Sequence, residues 1–440
     1  MITTIEKNVF EGEGLARFEG QTVFIKGVIE GEVVEFSIIK KYKNYTKAKL
    51  EKIITKSPHR ITPKCPLSNC CGGCDFGFID YDYQAKIKEN IIKEIFQNFE
   101  NVNFLPFIKS PLVYNYRAKT QYPATDTKNS KRVILGYYKE KTHDIINIKY
   151  CPIQPEIVDK IIEFIRNNWI FGCYHEKEHK GLLRHVNIRI STTNNDILLT
   201  LVLNSKTKPD IKNFTSRIIS EFPQIKGVFV NLNPDKTNKI TGDKTYLIQG
   251  VDYIIQNLGK FRYKLGGNSF FQVNPHCAEL LFENAKKLIK NKGNLLDLYG
   301  GSGVIGIFMS DSVDKICLVE ENEESIALAK ENYKLNNIDN FEIINSKAKE
   351  CIQKFEKEKI MFENIIIDPP RKGADEETLS GISKLTKNII YISCNPMTLR
   401  RDSLFLIQKG FKLKSVQGAD MFPNTHHIEC IAHFEAGENA

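Results

Sequence analysis

The pattern of apolar and polar positions divides the chain into three stretches. Up to about residue 58, apolar and polar residues alternate in short runs, such as Thr22-Val23-Phe24-Ile25 and Glu32 to Ile38. Gly12, Gly14, Gly20, Gly27 and Gly31 punctuate them. Short strands with frequent turns predict a small β-barrel. Residues 57–63, with Ser57-Pro58 and Thr62-Pro63, read as a linker. Between 59 and 266 the pattern is mixed. It predicts a helix over 83–98, with Ile87, Ile91, Ile92 and Ile95 on one side, and strands over 133–138, 186–191, 197–203 and 227–231. From 267 to 440, apolar strands are predicted at 294–299, 315–320, 341–345, 364–368, 388–394 and 427–434, with helical patterns between the first five. That alternation predicts a doubly wound, parallel, Rossmann-like sheet. The expected fold is therefore α/β in three parts: barrel 1–58, central α/β domain 59–266 and nucleotide-cofactor domain 267–440.

The length of 440 residues suits two or three domains, and 41% hydrophobic content fills real cores. The sequence has no apolar run long enough for a membrane span, and the N-terminus reaches charge without a signal-peptide core, so a cytoplasmic protein is expected. A net charge of +9 points mildly to a polyanionic partner. The stretch from Lys40 to Lys56 is sharper. It holds seven lysines, one acid (Glu51), and Tyr42 and Tyr45 between them. Lysines hold phosphates and tyrosines stack on bases, which suits RNA.

Chemistry concentrates at strand ends. The strand before Tyr299 runs into Gly300-Gly301-Ser302-Gly303 and then a helix over 304–309. Glycines let backbone approach a ligand closely. A second strand ends at Glu320, where a carboxylate can accept from ribose hydroxyls. No Gly-Lys-Ser/Thr follows, so a triphosphate loop is excluded. Asp297 and Glu320 together suit S-adenosylmethionine, which carries a ribose and a cationic amino-acid tail.

Two later strands end in Asp368-Pro369-Pro370-Arg371 and Ser393-Cys394-Asn395-Pro396. Ligands bind at the carboxyl ends of such strands. Cys394 is the candidate nucleophile and Glu429, after His427, the candidate base. Thiolate addition at carbon 6 of uracil makes carbon 5 enolate-like and able to accept a methyl group. A base must then remove the carbon 5 proton before the thiol leaves. A free thiol is mostly protonated at neutral pH, and the sequence does not reveal which group lowers its pKa. A cytosine-5 enzyme is disfavoured because Asp368-Pro369-Pro370 stands where those enzymes often carry Pro-Cys. A third reading is an RNA-binding assembly factor with an idle catalytic domain.

Four of the eleven cysteines cluster as Cys65, Cys70, Cys71 and Cys74, with Cys151-Pro152 a distant fourth ligand beside Cys65, Cys71 and Cys74. The spacing predicts a metal centre, and leaves iron–sulfur and zinc both open. Cys70 reads as spare.

These motifs in this order resemble the bacterial RNA uracil-5-methyltransferase family, specifically its iron–sulfur-containing 23S rRNA branch. The resemblance spans nearly the whole chain. Gly12-Glu13-Gly14-Leu15-Ala16-Arg17-Phe18 resembles the start of its RNA-binding TRAM domain, a barrel of OB type. It implies a 4Fe–4S cluster on Cys65, Cys71, Cys74 and Cys151. Gln272 (in Phe271-Gln272-Val273-Asn274), Tyr299, Glu320 and Asp368 are implied cofactor contacts, Cys394 the nucleophile and Glu429 the base. Val304 departs from the asparagine of some members. The substrate implied is a uridine in folded 23S rRNA, with the tRNA T-loop as the alternative, and the expected state is a monomer.

Overall fold

The computed structural model describes residues 1–68, 70–127, 132–140 and 142–437. The N-terminal stretch forms one six-stranded sheet, Ile2–Thr4 through Tyr45–Thr55. Its inward residues, among them Ala16, Val23, Ile25, Val34 and Phe36, make a small separate core. Register shifts at Val33/Val34, Glu35/Phe36 and Ile38/Lys40 interrupt its longest pairing; bulges of this kind bend a strand, which lets so short a sheet curl on its own core.

The central sheet has seven strands in the spatial order Ile145–Asn147, Val133–Tyr138, Lys119–Asp126, Leu183–Ile190, Ile197–Leu203, Ile225–Leu232, Lys244–Gly250. One parallel pair, Ile197–Leu203 with Ile225–Leu232, is joined through the helix Lys212–Glu221. That helix and Glu156–Asn168 cover one face with Ile161, Ile162, Ile165, Phe214 and Ile218, against Val186, Ile188, Leu199 and Val228. The predicted strands 133–138 and 197–203 match, and the other two extend by one to three residues.

The C-terminal sheet has eight strands in the order Phe341–Asn345, Lys315–Glu320, Asn294–Leu298, Asn364–Ile367, Asn388–Ser393, Glu429–Ala436, Phe411–Ala419, Asn103–Phe104. The first five are parallel, as expected. The expectation of a wholly parallel sheet fails at Glu429–Ala436, which runs antiparallel to both neighbours. The reason is local: the chain returns from Phe411–Ala419, a strand not foreseen from the sequence, by a short loop with no crossover helix, and only antiparallel pairing permits that. The strand order reverses between Asn294–Leu298 and Asn364–Ile367, and such a switch point leaves a crevice at the carboxyl ends.

Two segments placed by sequence within 59–266 pack on this C-terminal sheet. The helix Tyr81–Phe96, capped by Asp80 accepting from the Tyr83 amide at 3.0 Å, buries Ile87, Ile91, Ile92 and Phe96 against Phe411, Leu413 and Val416. The hairpin Tyr253–Leu258 and Phe261–Gly266 buries Ile254, Tyr263 and Leu265 against Phe282, Ile305 and Phe308 on the other face.

Candidate active site

Each motif of the C-terminal sheet opens at the same edge. After Asn294–Leu298 the backbone turns through Tyr299 at φ 66° and Gly303 at φ 79°. A Cβ on Gly300 would fall 2.5 Å from the Leu318 side chain, so the turn tolerates nothing larger. Glu320, at the end of the next strand, accepts from the Gly301 amide at 3.0 Å and from its own following turn. It thus lies along the glycine loop, where a ribose would bind. Asp297 does not. It is buried and accepts from the Gly306 amide at 2.9 Å, tying the strand to the helix Val304–Met309. Burial raises its pKa to about 7. The expectation that it faces the cofactor's tail is therefore replaced by a role in holding the loop.

Tyr299 leads into a cleft of about 860 Å³, lined also by Glu321, Lys347, Ala348, Pro370 and Asp375. Of the four expected cofactor contacts, Tyr299 lines this cleft, and Gln272, Glu320 and Asp368 are not among its lining residues. Gln272 lies half-buried on the strap between the hairpin and the helix Pro275–Lys286. Two bonds seat this strap: Ala118 N–H donates to the Val273 carbonyl at 2.7 Å, and Asn274 caps the helix through the Cys277 amide at 3.2 Å.

The candidate nucleophile and the candidate base meet by register. Ser393 is the last residue paired with Cys430 across the antiparallel ladder, so Cys394 and Glu429 are the next opposed positions at that edge. Cys394 is held between a strand and a capped helix. Ser393 Oγ accepts from the Asn395 amide at 3.1 Å, and Asn395 Oδ1 accepts from the Met397 and Thr398 amides, with Pro396 in the first turn. The Asn395 side chain also donates to the Arg371 carbonyl at 3.4 Å, joining this turn to the Asp368-Pro369-Pro370-Arg371 turn.

The electrostatics bring four groups together. Burial raises the Cys394 thiol to about 11, and the nearby Glu429 and Asp368 carboxyls add to it. The Arg371 guanidinium opposes them, by charge and by a hydrogen bond to the thiol. Glu429, 4% exposed, is pushed well above the usual carboxylate range, first by burial and then by Asp368, with Arg371 again opposing. Burial raises Asp368 to about 7. The site thus sets a thiol and two buried carboxyls against the Arg371 guanidinium. Arg371 is the group the sequence left unassigned. It was visible in the motif, but its thiol partner is 23 residues away on another strand. His427 is held neutral, its pKa lowered to about 4 by burial and by His426 and Arg371.

The segment Asp420–His427 that leads to the base is gripped by distant parts of the chain. Lys88 and Asp420 form a fully buried ion pair at 2.7 Å, and Lys88 also donates to the Phe422 carbonyl. Tyr116 Oη donates to the Pro423 carbonyl at 3.1 Å, and Asn424 N–H donates to Gln84 at 2.9 Å. Asp75, next to Cys74, accepts from the His426 amide at 2.9 Å and pairs with its ring. On the other side Gly12, at φ 77°, leaves 2.9 Å between a built Cβ and His426.

Cys65, Cys71, Cys74 and Cys151 line one small cavity with Leu67, Tyr137 and Ile148. Burial raises all four thiols, and their charges raise Cys74, Cys71 and Cys151 further through one another. Cys70 is exposed, is not among the residues lining the cavity and donates to the Leu67 carbonyl. Among the described residues no group of three or more His, Cys, Asp or Glu closes around a point as for a single metal ion. A four-iron cube is wider than one ion and holds its thiolates further apart. Four thiols lining one apolar cavity are the donor type such a cube takes.

In the barrel, Lys47 pairs with Glu13 and Lys49 with Glu51. Lys40 lies 5.0 Å over Tyr42, and Tyr42 stacks on Tyr45 at 4.6 Å. The aromatic–basic surface expected for nucleic acid is present. No helix among the described residues is long and apolar enough to cross a membrane.

The sheet, its glycine loop and the cysteine–glutamate edge define a Rossmann-like methyltransferase. The chain belongs to the tRNA (Uracil-5-)-methyltransferase family, whose model matches residues 80–436, and a TRAM domain model matches residues 3–50. Similar chains include a Bacillus cereus protein, 35% identical with 98% of this chain and 97% of that one covered. A Clostridium acetobutylicum protein is 36% identical, covering 96% of this chain and 93% of that one. Both are named uncharacterized RNA methyltransferases. The fold matches a crystal structure of the Pyrococcus abyssi tRNA (uracil-54, C5)-methyltransferase with S-adenosyl-L-homocysteine, at TM-score 0.77 and 23% identity, covering 98% of this chain and 100% of that one. The protein is an S-adenosylmethionine-dependent RNA methyltransferase of the uracil-5 family.

Proposed function

We propose that the protein methylates carbon 5 of a uridine in 23S rRNA through a covalent Cys394 adduct, with Glu429 as the base. The observation that carries this reading is the opposition of Cys394 and Glu429 at one sheet edge, with Arg371 and Asp368 beside them. Arg371 favours the thiolate, whose sulfur bonds to carbon 6 as the ring's 5,6 π-electrons move toward carbon 4 oxygen. S-adenosylmethionine, when bound along Gln272, Tyr299, Glu320 and Asp368, supplies a methyl cation equivalent to carbon 5. Glu429 in its ionised form then takes the carbon 5 proton, the ring double bond re-forms and the sulfur leaves as thiolate. A positioned base contributes about 10²–10⁴-fold to such a step. Burial of Glu429 suits it to this proton, because a carboxyl whose pKa is raised is a stronger base than a surface one.

The three-part division at 58 and 266 assigns RNA capture to the barrel, the cysteine centre to the middle and methyl transfer to the C-terminal part. Cys65, Cys71, Cys74 and Cys151 would hold a 4Fe–4S cluster, whose positive irons offset the mutual repulsion of four buried thiolates. The cysteine set supports 23S rRNA through the family resemblance. The tRNA T-loop is the second reading, supported by the likeness to an enzyme described as acting on tRNA uracil 54.

The test is mass-spectrometric quantification of 5-methyluridine in separated 23S rRNA and tRNA, from cells with and without the gene. Loss confined to a 23S fragment is expected. Loss in tRNA would move the substrate and leave the chemistry. No loss in either would count against both substrates.

A further inference from the structure

The strands Lys119–Asp126 and Leu183–Ile190 run antiparallel, and their register sets Lys119 directly opposite Arg189. Opposed residues share one face, and like charges so placed destabilise a sheet. This face is the one turned away from the helices, whose side is filled by Tyr122, Val186, Ile188 and Ile190. Arg189 is buried, 4% exposed, with one nitrogen donating to the Ser269 carbonyl and its Nε without a partner. Among the described residues no carboxylate pairs with Arg189 or with the Lys119 ammonium, which is half-exposed. Two residues along, Gln121 opposes Asn187, whose Oδ1 also lacks a partner. Burial and Arg189 depress the Lys119 pKa to about 7, and no other group offsets this.

An arginine buried without a counter-ion, and faced by a second cation, is costly in the free protein. It persists where an anion completes it. The pair sits against the strap that carries Gln272: Arg189 donates to Ser269, and Ala118, the neighbour of Lys119, donates to Val273. Both residues therefore lie beside the strap that leads to the catalytic edge. We propose that Lys119 and Arg189 form a binding site for a phosphodiester of the substrate RNA, close to the nucleotide that enters the catalytic pocket. This rests on RNA being the substrate. Arg supplies a fixed planar fork and Lys a mobile point charge, and that combination suits a phosphate entering from the solvent side of Lys119.

The test uses the full-length protein with a fluorescent RNA hairpin carrying a loop uridine, titrated across a range of KCl concentrations. Lys119→Met keeps the aliphatic stem. It should weaken RNA binding about tenfold and flatten the log K against log salt slope by roughly 0.7–0.9, the change for one lost phosphate contact. Lys119→Glu gives Arg189 an internal counter-ion, and should abolish RNA binding while raising Tm. Lys330→Met, on an exposed helix position, should leave both unchanged. Parallel loss of Tm and RNA affinity in Lys119→Met would mark a packing role and overturn the site. Unchanged RNA affinity and slope would overturn it too. Weakened S-adenosyl-L-homocysteine binding with normal RNA binding would assign the cations to the cofactor's carboxylate instead. Failure of the wild-type protein to bind or methylate any RNA would defeat the substrate reading itself, a result separable from all of these.

Discussion

Replacing Arg371 with Gln removes the one cation that favours ionisation of Cys394. With a pKa of about 11, roughly one Cys394 thiol in a thousand is ionised at pH 8. An adjacent opposite charge is worth about 1–3 pKa units to an acid, so the substitution should cut the ionised fraction about 10- to 1,000-fold. A more basic thiolate is also more nucleophilic, which recovers about half of that on a logarithmic scale. The net slowing is therefore about 3- to 30-fold. The assay is iodoacetamide labelling at pH 8.5, read by mass spectrometry on the peptide holding Cys394, with exposed Cys70 as the internal reference. Arg371→Lys should restore much of the rate. Glu429→Gln should speed labelling, because Glu429 raises the thiol. Equal labelling of Cys394 in Arg371→Gln and wild type would refute the electrostatic account.

Further outcomes are expected. Glu429→Gln should trap a denaturant-resistant protein–RNA adduct visible on a denaturing gel, and Cys394→Ala should form none; an active Cys394→Ala enzyme would sink the mechanism. The folded state binds the Glu429 proton more tightly than the unfolded chain, so this residue costs stability as pH rises above the ordinary carboxylate range. Glu429→Gln should accordingly melt higher than wild type at pH 8, with the gap closing toward pH 4. Lys88→Met leaves Asp420 buried and unpaired, which should cost about 3–5 kcal/mol in chemical denaturation, while adding Asp420→Leu should recover most of it. Purified without oxygen, the protein should carry about four irons per chain; Cys74→Ser should lose them and Cys70→Ser should not.

Much of the C-terminal sheet was legible because its strands are buried on both faces. Ile365-Ile366-Ile367 and Ile389 to Ile392 read as unbroken apolar runs, and each ends in a motif at the ligand edge. Cys65, Cys71 and Cys74 were legible as a group by their spacing, and the fold brings Cys151 to the same cavity. Phe411–Ala419 was missed because Lys412 and Lys414 interrupt it and its later polar residues, Ser415 and Gln417, are buried rather than outward. The helix Tyr81–Phe96 was found, but its apolar face does not say which sheet it covers. Arg371 was quoted in its motif without a role, since its effect depends on two strand ends adjacent only in the fold. Lys119 and Arg189 carried no signal at all, because their opposition is a matter of register.

The grip on Asp420–His427 has a consequence for how the enzyme comes into being. Gly12, Asp75, Gln84, Lys88 and Tyr116 all leave the ribosome several hundred residues before the segment they hold. Glu429 thus follows into a socket whose other walls come from residues 12 to 116. A nascent chain can assemble its barrel and its cysteine loop before Cys394 and Glu429, the proposed catalytic pair, emerge.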